Sequence, residues 1–370
     1  MDRKLVVRHL GRVEYEDGLA LMEQVAKARA EGRCPDTLLL LEHPPVITHG
    51  RVARLEHVLL SPEELRARGV RVYETNRGGD VTYHGPGQLV GYPIFDLNPD
   101  RRDVRRYVRD VEEAIIRALA RYGVEAGRIP KWTGVWIGTE DDPGAAKIAA
   151  IGVHIKRWIT THGFALNVLT DLSHFDMIVP CGIAERGVTS LARQLGRLVD
   201  PDEVADAVAA SFSEVFGWPL ETRGVDAETI AVAVLRRAAP EPEVLVLRRT
   251  AARGGFEQIV TGRIEAGEAP AAAAARELRE ETGLDVPLVD LRYVHAFGIG
   301  EAPLFVREHA FGAVVEAGTE VRLDPAEHEA AAWLPLSQAL ERLPFAGLRR
   351  AVEKTAALPL LQGGGARAVV

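Results

Sequence analysis

The chain has 370 residues, too many for one ordinary compact core, so two domains are expected. Hydrophobic residues make up 47% and charged residues 26%, the proportions of a soluble globular protein. A formal net charge of −8 argues against a general nucleic-acid binder, and two cysteines, Cys34 and Cys181, cannot form a disulfide scaffold. A reducing, cytoplasmic location is therefore expected. No apolar run suits a signal peptide or a membrane crossing.

In chain order, the first half carries alternating helix and strand patterns. Apolar residues at helical spacing predict helices over residues 14–32, 103–123 and 201–217. The apolar run TLLLLEH predicts a buried strand that ends at Pro44-Pro45, and the β-branched segment 147–168 predicts a pair of strands.

The composition of the sequence changes near residue 220. A polar, broken stretch over 218–228 has the composition of a linker between domains. Two strands joined by a proline-containing turn are predicted over 230–250, and a long alanine-rich helix follows them. The sequence therefore predicts one domain over 1–220, a second over 226–360, and a disordered tail over 361–370.

Three carboxylates share one face of that alanine-rich helix. Glu277, Glu280 and Glu281 stand at i, i+3 and i+4, where like charges repel unless a cation neutralises them. Carboxylate oxygens suit Mg²⁺ or Mn²⁺, and a cluster without histidine or cysteine argues against zinc. The alternative is a solvated acidic face interleaved with Arg276 and Arg279.

The residues around these glutamates favour the metal site, because together they resemble the Nudix box. The matching positions are Gly262, Glu268, Arg276, Glu277, Leu278, Glu280, Glu281, Gly283 and Leu284. The resemblance implies an α/β/α sandwich that hydrolyses a nucleoside diphosphate linked to another moiety. It implies Mg²⁺ (or Mn²⁺) ligands at Glu277, Glu280 and Glu281, and loop support from Gly262, Glu268, Arg276 and Gly283. One further carboxylate would come from Glu327 or Glu329, and the sequence does not choose between them.

In the first half, Cys181 follows a proline and precedes a glycine in IVPCGIAERGVTS. A buried, inert cysteine is one interpretation. A nucleophile is the other, because backbone amides in a turn can stabilise an oxyanion, provided that a base or cation lowers the pKa of the thiol. The candidate partners are His84, His154, His162, His174 and Lys147.

Lys147 is an unusual candidate because it immediately precedes an apolar strand. Partial desolvation there would lower its pKa and let it exchange protons with a thiol. The alternative is a lysine at a strand edge with its ammonium group in water.

A third element, RGGDVTYHGPGQLVGYPI, runs from Arg77 to Ile94. Its glycines would let the backbone approach a ligand closely, and Arg77, Asp80 and His84 would place polar groups around that ligand. The alternative is a glycine-rich hairpin.

Together these segments resemble the lipoyl(octanoyl) transferases, the octanoyl-[acyl-carrier-protein]:protein octanoyltransferases of lipoate biosynthesis and protein lipoylation. The resemblance rests on LLLLEHPPV, RGGDVTYHGPGQLVGYPI, KIAAIGV, HGFALNV and IVPCGI, and it covers about residues 5–215. It implies a biotin/lipoate-ligase-like α+β domain, in which Cys181 carries the acyl group as a thioester and Lys147 is the acid/base. The residues that would bind the acyl substrate are Arg77, Gly78, Gly79, Asp80, Val81, Thr82, Tyr83, His84, Ala150, Ile151, Gly152, Gly163, Phe164 and Ala165.

The same resemblance implies the partners. The donor would be octanoyl-acyl carrier protein, and the acceptors would be lipoyl-domain proteins of the 2-oxoacid dehydrogenase complexes and the glycine cleavage system. No cofactor is expected for acyl transfer, no nucleic-acid or membrane partner is expected, and the Nudix half would take a nucleotide-derived small molecule. The alternative is an ATP-dependent lipoate or biotin protein ligase joined to a non-catalytic Nudix binding module. His49 departs from the family's usual apolar residue, and neither it nor Cys34 is assigned a role.

Overall fold

The structure, a computed structural model, describes residues 3–179, 186–359 and 361. Contacts divide the chain into two compact units, Met1–Val225 with Ala296–Phe305, and Asp226–His295 with Val306–Val370. Cys181 and residues 362–370 of the predicted tail lie outside the described residues. Within the described ranges, no helix has both the length and the apolarity that a membrane crossing needs.

The first unit is a mixed α and β structure. Its strands are β1 (Leu5–Arg12), β2 (Asp36–Glu42), β3 (Val46–His49), β4 (Arg71–Glu74), β5 (Val81–His84), β6 (Gln88–Ile94), β7 (Gly127–Ile129), β8 (Trp132–Ile137), β9 (Ala146–Lys156), β10 (Ile159–Asn167), β11 (Gly187–Val188) and β12 (Leu220–Arg223). Its helices are α1 (Tyr15–Ala30), α2 (Pro62–Ala67), α3 (Val104–Ala120), α4 (Leu191–Leu195) and α5 (Pro201–Phe216). The three predicted helices, the buried strand and the paired strands are all confirmed.

A large sheet forms the centre of this unit, in the order β12-β1-β2-β6-β10-β9-β8-β7, with β11 beside β9. Side chains of β2 alternate between its two faces, as the pleat requires. Leu38 and Leu40 pack in the core that contains residues of α3 and α5, whereas Leu39 and Leu41 pack with residues of α1. Helices therefore cover both faces of the sheet, which explains why β2 is apolar throughout.

The glycine-rich segment joins this large sheet to a small one of order β4-β3-β5. β5 pairs with β3, whereas β6 pairs with β2 and β10, so the alternative of a glycine-rich hairpin is wrong. The crossing uses Gly85-Pro86-Gly87, where Gly87 has φ 80° and the backbone of Leu169 would lie 2.7 Å from an added Cβ. Only glycine fits both conditions, and the crossing opens a space between the two sheets.

A second sheet contains β13 (Ala227–Arg236), β14 (Glu243–Arg249), β15 (Glu257–Gln258), β16 (Val260–Arg263), β17 (Val289–Ile299), β18 (Leu304–Val315) and β19 (His328–Pro335). It belongs to the second unit except for Ala296–Phe305, at the junction of β17 and β18. The helices of the second unit are α6 (Pro270–Thr282), α7 (Leu336–Arg342) and α8 (Ala346–Ala356). The strands predicted over 230–250 are β13 and β14, and they pair antiparallel. The predicted alanine-rich helix is α6.

Alternation along β13 builds three layers in this unit. Ile230 and Val232 pack in the core that contains Leu278 of α6. Ala231 and Ala233 point the other way and pack in the core that holds residues of α7 and α8. The result is the predicted α/β/α sandwich, and it places α6, with its carboxylates, on one face of the sheet.

Candidate active sites

A pocket lies between the small sheet and strands β6, β9 and β10 of the large sheet. The residues that line it are Tyr15, Arg77, Gly79, Asp80, Thr82, His84, Val90, Tyr92, Ala150, Ile151, Gly152, His162, Gly163, Phe164 and Ala165. Most of the residues predicted to bind the acyl substrate therefore meet at one place, although they come from three separate segments.

Three of the residues predicted to bind the acyl substrate do not line the pocket. For two of them the reason is the alternation of side chains along a strand. In β5, Thr82 and His84 face the pocket, so Val81 and Tyr83 point the opposite way into the core of the small sheet. Gly78 instead donates a backbone hydrogen bond to Val153 O at 2.9 Å. These three residues support the pocket from outside.

Arg77 is buried beside the pocket and is held by neutral oxygens. Its guanidinium donates to Thr48 O at 2.7 Å, to Asp80 O at 2.7 Å and to Gly78 O at 3.0 Å. Backbone carbonyls thereby hold the glycine-rich loop around a fixed positive charge.

The imidazoles of the pocket are neutral. Burial lowers the pKa of His84 to about 3 and the pKa of His162 to about 4, and the Arg77 charge adds to both shifts. His84 Nδ1 lies 2.8 Å from Gln88 Oε1, so the neutral ring donates its proton to that amide oxygen. These two histidines are therefore weak bases and carry no charge that could lower the pKa of a thiol.

Lys147 has a buried side chain near the start of β9, 6% exposed. Its Nζ lies 4.9 Å from the ring centroid of Trp136, which is itself buried. The alternative of an ammonium group in water is wrong for this residue. The described chain resumes at Arg186 after the Cys181 segment, and β11 pairs with β9 so that Val188 lies opposite Lys147.

A chain of buried hydrogen bonds connects the pocket wall with the strand of Lys147. Gln88 Nε2 donates to Asn167 Oδ1 at 3.0 Å, and Asn167 Nδ2 donates to Thr189 O at 3.0 Å. Thr189 N in turn donates to Lys147 O at 3.0 Å. We did not predict these contacts from the sequence, although Gln88 and Asn167 lie within the glycine-rich segment and HGFALNV.

Gly163 allows two strands to approach closely at the pocket wall. An added Cβ would lie 2.2 Å from Gly91 O and 2.4 Å from Pro93 Cδ. We expect Gly163→Ala to lower the free energy of unfolding by about 1 to 3 kcal/mol, because the strands must move apart. Urea denaturation measures the change. Gly127→Ala is the matched control, since its added Cβ meets no atom within 4 Å. If Gly127→Ala lowered the free energy of unfolding as much as Gly163→Ala does, the prediction would be contradicted.

In the second unit, Arg276 organises the loop before α6. It donates to Glu268 through Nε at 3.0 Å and through Nη2 at 2.9 Å, and it contacts Glu277 at 2.8 Å and Glu280 at 3.2 Å. Gly262 makes room for this arrangement, because an added Cβ would lie 2.0 Å from the carboxyl carbon of Glu277. Gly283 ends the helix in the left-handed conformation, with φ 71°.

Glu281 is the predicted ligand that belongs to a cluster of possible metal-binding side chains among the described residues. Its carboxylate is grouped with Glu327 and His328, and one ligand atom from each lies within 4.8 Å of the others. His328 is therefore a possible ligand that the sequence analysis did not single out. Glu329, the other carboxylate that the sequence left open, pairs with Arg248 at 2.9 Å instead.

This cluster fits a divalent cation. Burial raises the pKa of Glu281, so a carboxylate there needs a positive partner. Among the described atoms, Glu281 Oε1 is buried and has no hydrogen-bond partner. A metal ion would satisfy that oxygen, whereas the full set of ligands remains a prediction.

Comparison with known proteins identifies both parts of the chain. Residues 14–213 match the lipoyl protein ligase A/B catalytic domain, and residues 227–354 match the NUDIX domain. The chain belongs to the lipoyl protein ligase A/B catalytic domain family, with a NUDIX domain after it. An octanoyltransferase of Myxococcus xanthus is 58% identical over 95% of this chain and 99% of its own length. An octanoyltransferase of Solibacter usitatus is 53% identical over 59% of this chain and 96% of its own length.

One solved structure that resembles this chain comes from an archaeal lipoylation system of Thermoplasma acidophilum. That system consists of a bipartite lipoate protein ligase and its E2 lipoyl domain, and the matched chain is 19% identical to this one. It covers 61% of this chain and 88% of its own, with a TM-score of 0.48.

The two domain matches confirm the predicted fold classes, a lipoate-ligase-like α+β domain followed by a Nudix sandwich. The chain is therefore an enzyme, an acyltransferase joined to a Nudix hydrolase domain.

Proposed function

We propose that residues 1–220 transfer an octanoyl group from octanoyl-acyl carrier protein to a specific lysine of lipoyl domains, as a step of lipoate biosynthesis. The observation that carries this proposal is the 58% identity with an octanoyltransferase, which extends over nearly the full length of both chains. The acceptors would be the lipoyl domains of 2-oxoacid dehydrogenase complexes and of the glycine cleavage system. The second part of the chain, over residues 226–360, would hydrolyse a nucleoside diphosphate-linked compound.

In the first half-reaction, Cys181 attacks the thioester carbonyl of the donor. Lys147 accepts the proton of the Cys181 thiol, and the thiolate forms a bond to the carbonyl carbon. The carbon–sulfur bond to the carrier protein then breaks, and Lys147 returns the proton to the leaving thiolate. The octanoyl group remains on Cys181 as a thioester.

In the second half-reaction, the amine of the target lysine attacks that thioester. Lys147 takes a proton from the attacking nitrogen and returns it to the Cys181 sulfur as the carbon–sulfur bond breaks. The products are an amide on the lipoyl domain and the free thiol. Because the substrate is already a thioester, neither step needs ATP or a metal.

The lining of the pocket suits part of an apolar acyl chain. Ile151, Phe164 and Val90 supply apolar wall, and the glycines at 79, 152 and 163 leave room beside the backbone. The neutral forms of His84 and His162 keep the pocket free of imidazolium charge near neutral pH, which favours an apolar ligand.

We expect Lys147→Met to lower octanoyl transfer by about 10²- to 10⁴-fold, because the amine that moves the protons is lost. The assay combines the full chain with octanoyl-acyl carrier protein and a lipoyl domain, without ATP. Lys156→Met, at the exposed end of the same strand, is the matched control and should keep full activity. Unchanged transfer by Lys147→Met would contradict its role, and an absolute need for ATP would favour the ligase alternative.

For the Nudix half, we propose Glu277, Glu280 and Glu281 as the residues that would hold Mg²⁺ or Mn²⁺. When bound, such an ion neutralises phosphate charge and activates water. Glu268 and Arg276 fix the loop that carries the site, and Glu327 is favoured over Glu329 as the additional carboxylate. Intact carboxylates at these positions favour a hydrolase over a non-catalytic binding module.

A further inference from the structure

A buried histidine lies against a buried carboxylate in the Nudix half. His328 Nε2 is 3.0 Å from Glu281 Oε2, and the two side chains are 0% and 3% exposed. Among the described atoms, the other polar atom of each side chain, His328 Nδ1 and Glu281 Oε1, is buried without a partner. Buried polar atoms without a partner call for an explanation, and for the carboxylate oxygen a bound ion is one.

Backbone hydrogen bonds hold the histidine in this position. Arg322 N donates to Thr282 O at 2.9 Å, and Asp324 N donates to Glu281 O at 3.3 Å, so the segment before His328 is attached to the end of α6. His328 N then donates to Asp324 O at 2.9 Å. These bonds hold the backbone of the segment that carries His328 beside the end of α6.

Glu327 brings a second carboxylate to the same place. One of its oxygens lies within 4.8 Å of the nearest ligand atoms of Glu281 and His328. Arg253 contacts Glu327 at 3.0 Å and Arg249 contacts it at 3.4 Å, so a metal ion would share this carboxylate with two guanidinium groups.

The spacing suits metal coordination. Neighbouring ligands of an octahedral ion are about 3.0 Å apart when the metal–ligand distance is about 2.1 Å. The separation between His328 Nε2 and Glu281 Oε2 equals that value. A hydrogen bond has the same length, so distance alone does not distinguish the two. The unpartnered Oε1 leaves a second oxygen of the Glu281 carboxylate available to an ion that binds through both oxygens.

We propose that His328 supplies a nitrogen ligand to the Nudix metal ion, together with Glu281 and Glu327. An imidazole ligand shifts the preference of an otherwise carboxylate site from Mg²⁺ towards Mn²⁺ and later first-row divalent ions. The inference rests on the proposed hydrolase and specifies the metal that it uses. The competing possibility, that His328 only orients Glu281 through a hydrogen bond, is an outcome of the test.

The test uses the full chain with one equivalent of Mn²⁺ and electron spin echo envelope modulation. Modulation from a directly bound ¹⁴N is expected, and labelling with ¹⁵N-histidine should convert it to the ¹⁵N pattern. His328→Gln should remove the modulation and weaken Mn²⁺ binding about tenfold or more. His309→Gln is the matched control, because His309 lies beside Glu228 in the same unit and should leave the signal unchanged.

The labelling comparison uses the unaltered chain, so it does not depend on the folding of a variant. Bound Mn²⁺ without nitrogen modulation would overturn the inference and leave metal-dependent hydrolysis intact. Nitrogen modulation that persists in His328→Gln would overturn it as well. A nitrogen-coordinated ion in a chain that hydrolyses no nucleotide would instead contradict the proposed hydrolase and keep the metal site.

Discussion

Replacing Cys181 with serine is expected to lower octanoyl transfer by about a thousandfold or more, because an alcohol is a far weaker nucleophile than a thiolate. Transfer from octanoyl-acyl carrier protein to a lipoyl domain, measured without ATP, gives the rate. The second half of the chain should keep its hydrolase activity in the same preparation.

Cys34→Ser is the matched control for this experiment. Burial raises the pKa of the Cys34 thiol to about 11, so this residue is protonated near neutral pH and is a poor nucleophile. Its Sγ also contacts Val25 O at 3.7 Å inside the fold. Full activity is expected for Cys34→Ser. If Cys34→Ser abolished octanoyl transfer and Cys181→Ser did not, Cys34 rather than Cys181 would be the nucleophile.

Replacing Glu281 with glutamine is expected to lower metal-dependent nucleotide hydrolysis by about a hundredfold or more. Glutamine keeps the size of the side chain but removes the negative charge that would bind the cation. Release of phosphate or pyrophosphate from a panel of nucleotides, with Mg²⁺ and with Mn²⁺, measures the loss.

Glu341→Gln, on the exposed side of α7, controls for a general change of charge in this unit and should hydrolyse at the original rate. Octanoyl transfer should be unchanged in Glu281→Gln. Hydrolysis that survives this change at full rate would remove Glu281 from the site and would favour a centre built on Glu277 and Glu280 alone.

The sequence predicts best what depends on local periodicity. The alternation of β13 and the helical spacing of α3 are properties of a single segment, so both elements are confirmed. The pocket residues follow from motifs, yet the motif alone does not say which side chains point inward. Val81 and Tyr83 face away from the pocket because neighbouring residues of a strand alternate.

The features that the sequence does not reveal depend on contacts between distant segments. His328 is 47 residues from Glu281, and its place beside that carboxylate follows from hydrogen bonds between the end of α6 and the segment before β19. The crossing of the glycine-rich segment from one sheet to another likewise depends on the partners of β5 and β6, which no local pattern encodes. Long-range pairing is therefore where the predictions fail.

The most direct test of the account is the identity of the residue that carries the acyl group. The full chain is incubated with octanoyl-acyl carrier protein in the absence of a lipoyl domain, digested, and analysed by mass spectrometry of its peptides. We predict an octanoyl thioester on the peptide that contains Cys181, which disappears when a lipoyl domain is added. An octanoyl group on Cys34, or acyl transfer to the lipoyl domain with no adduct on Cys181, would contradict the account.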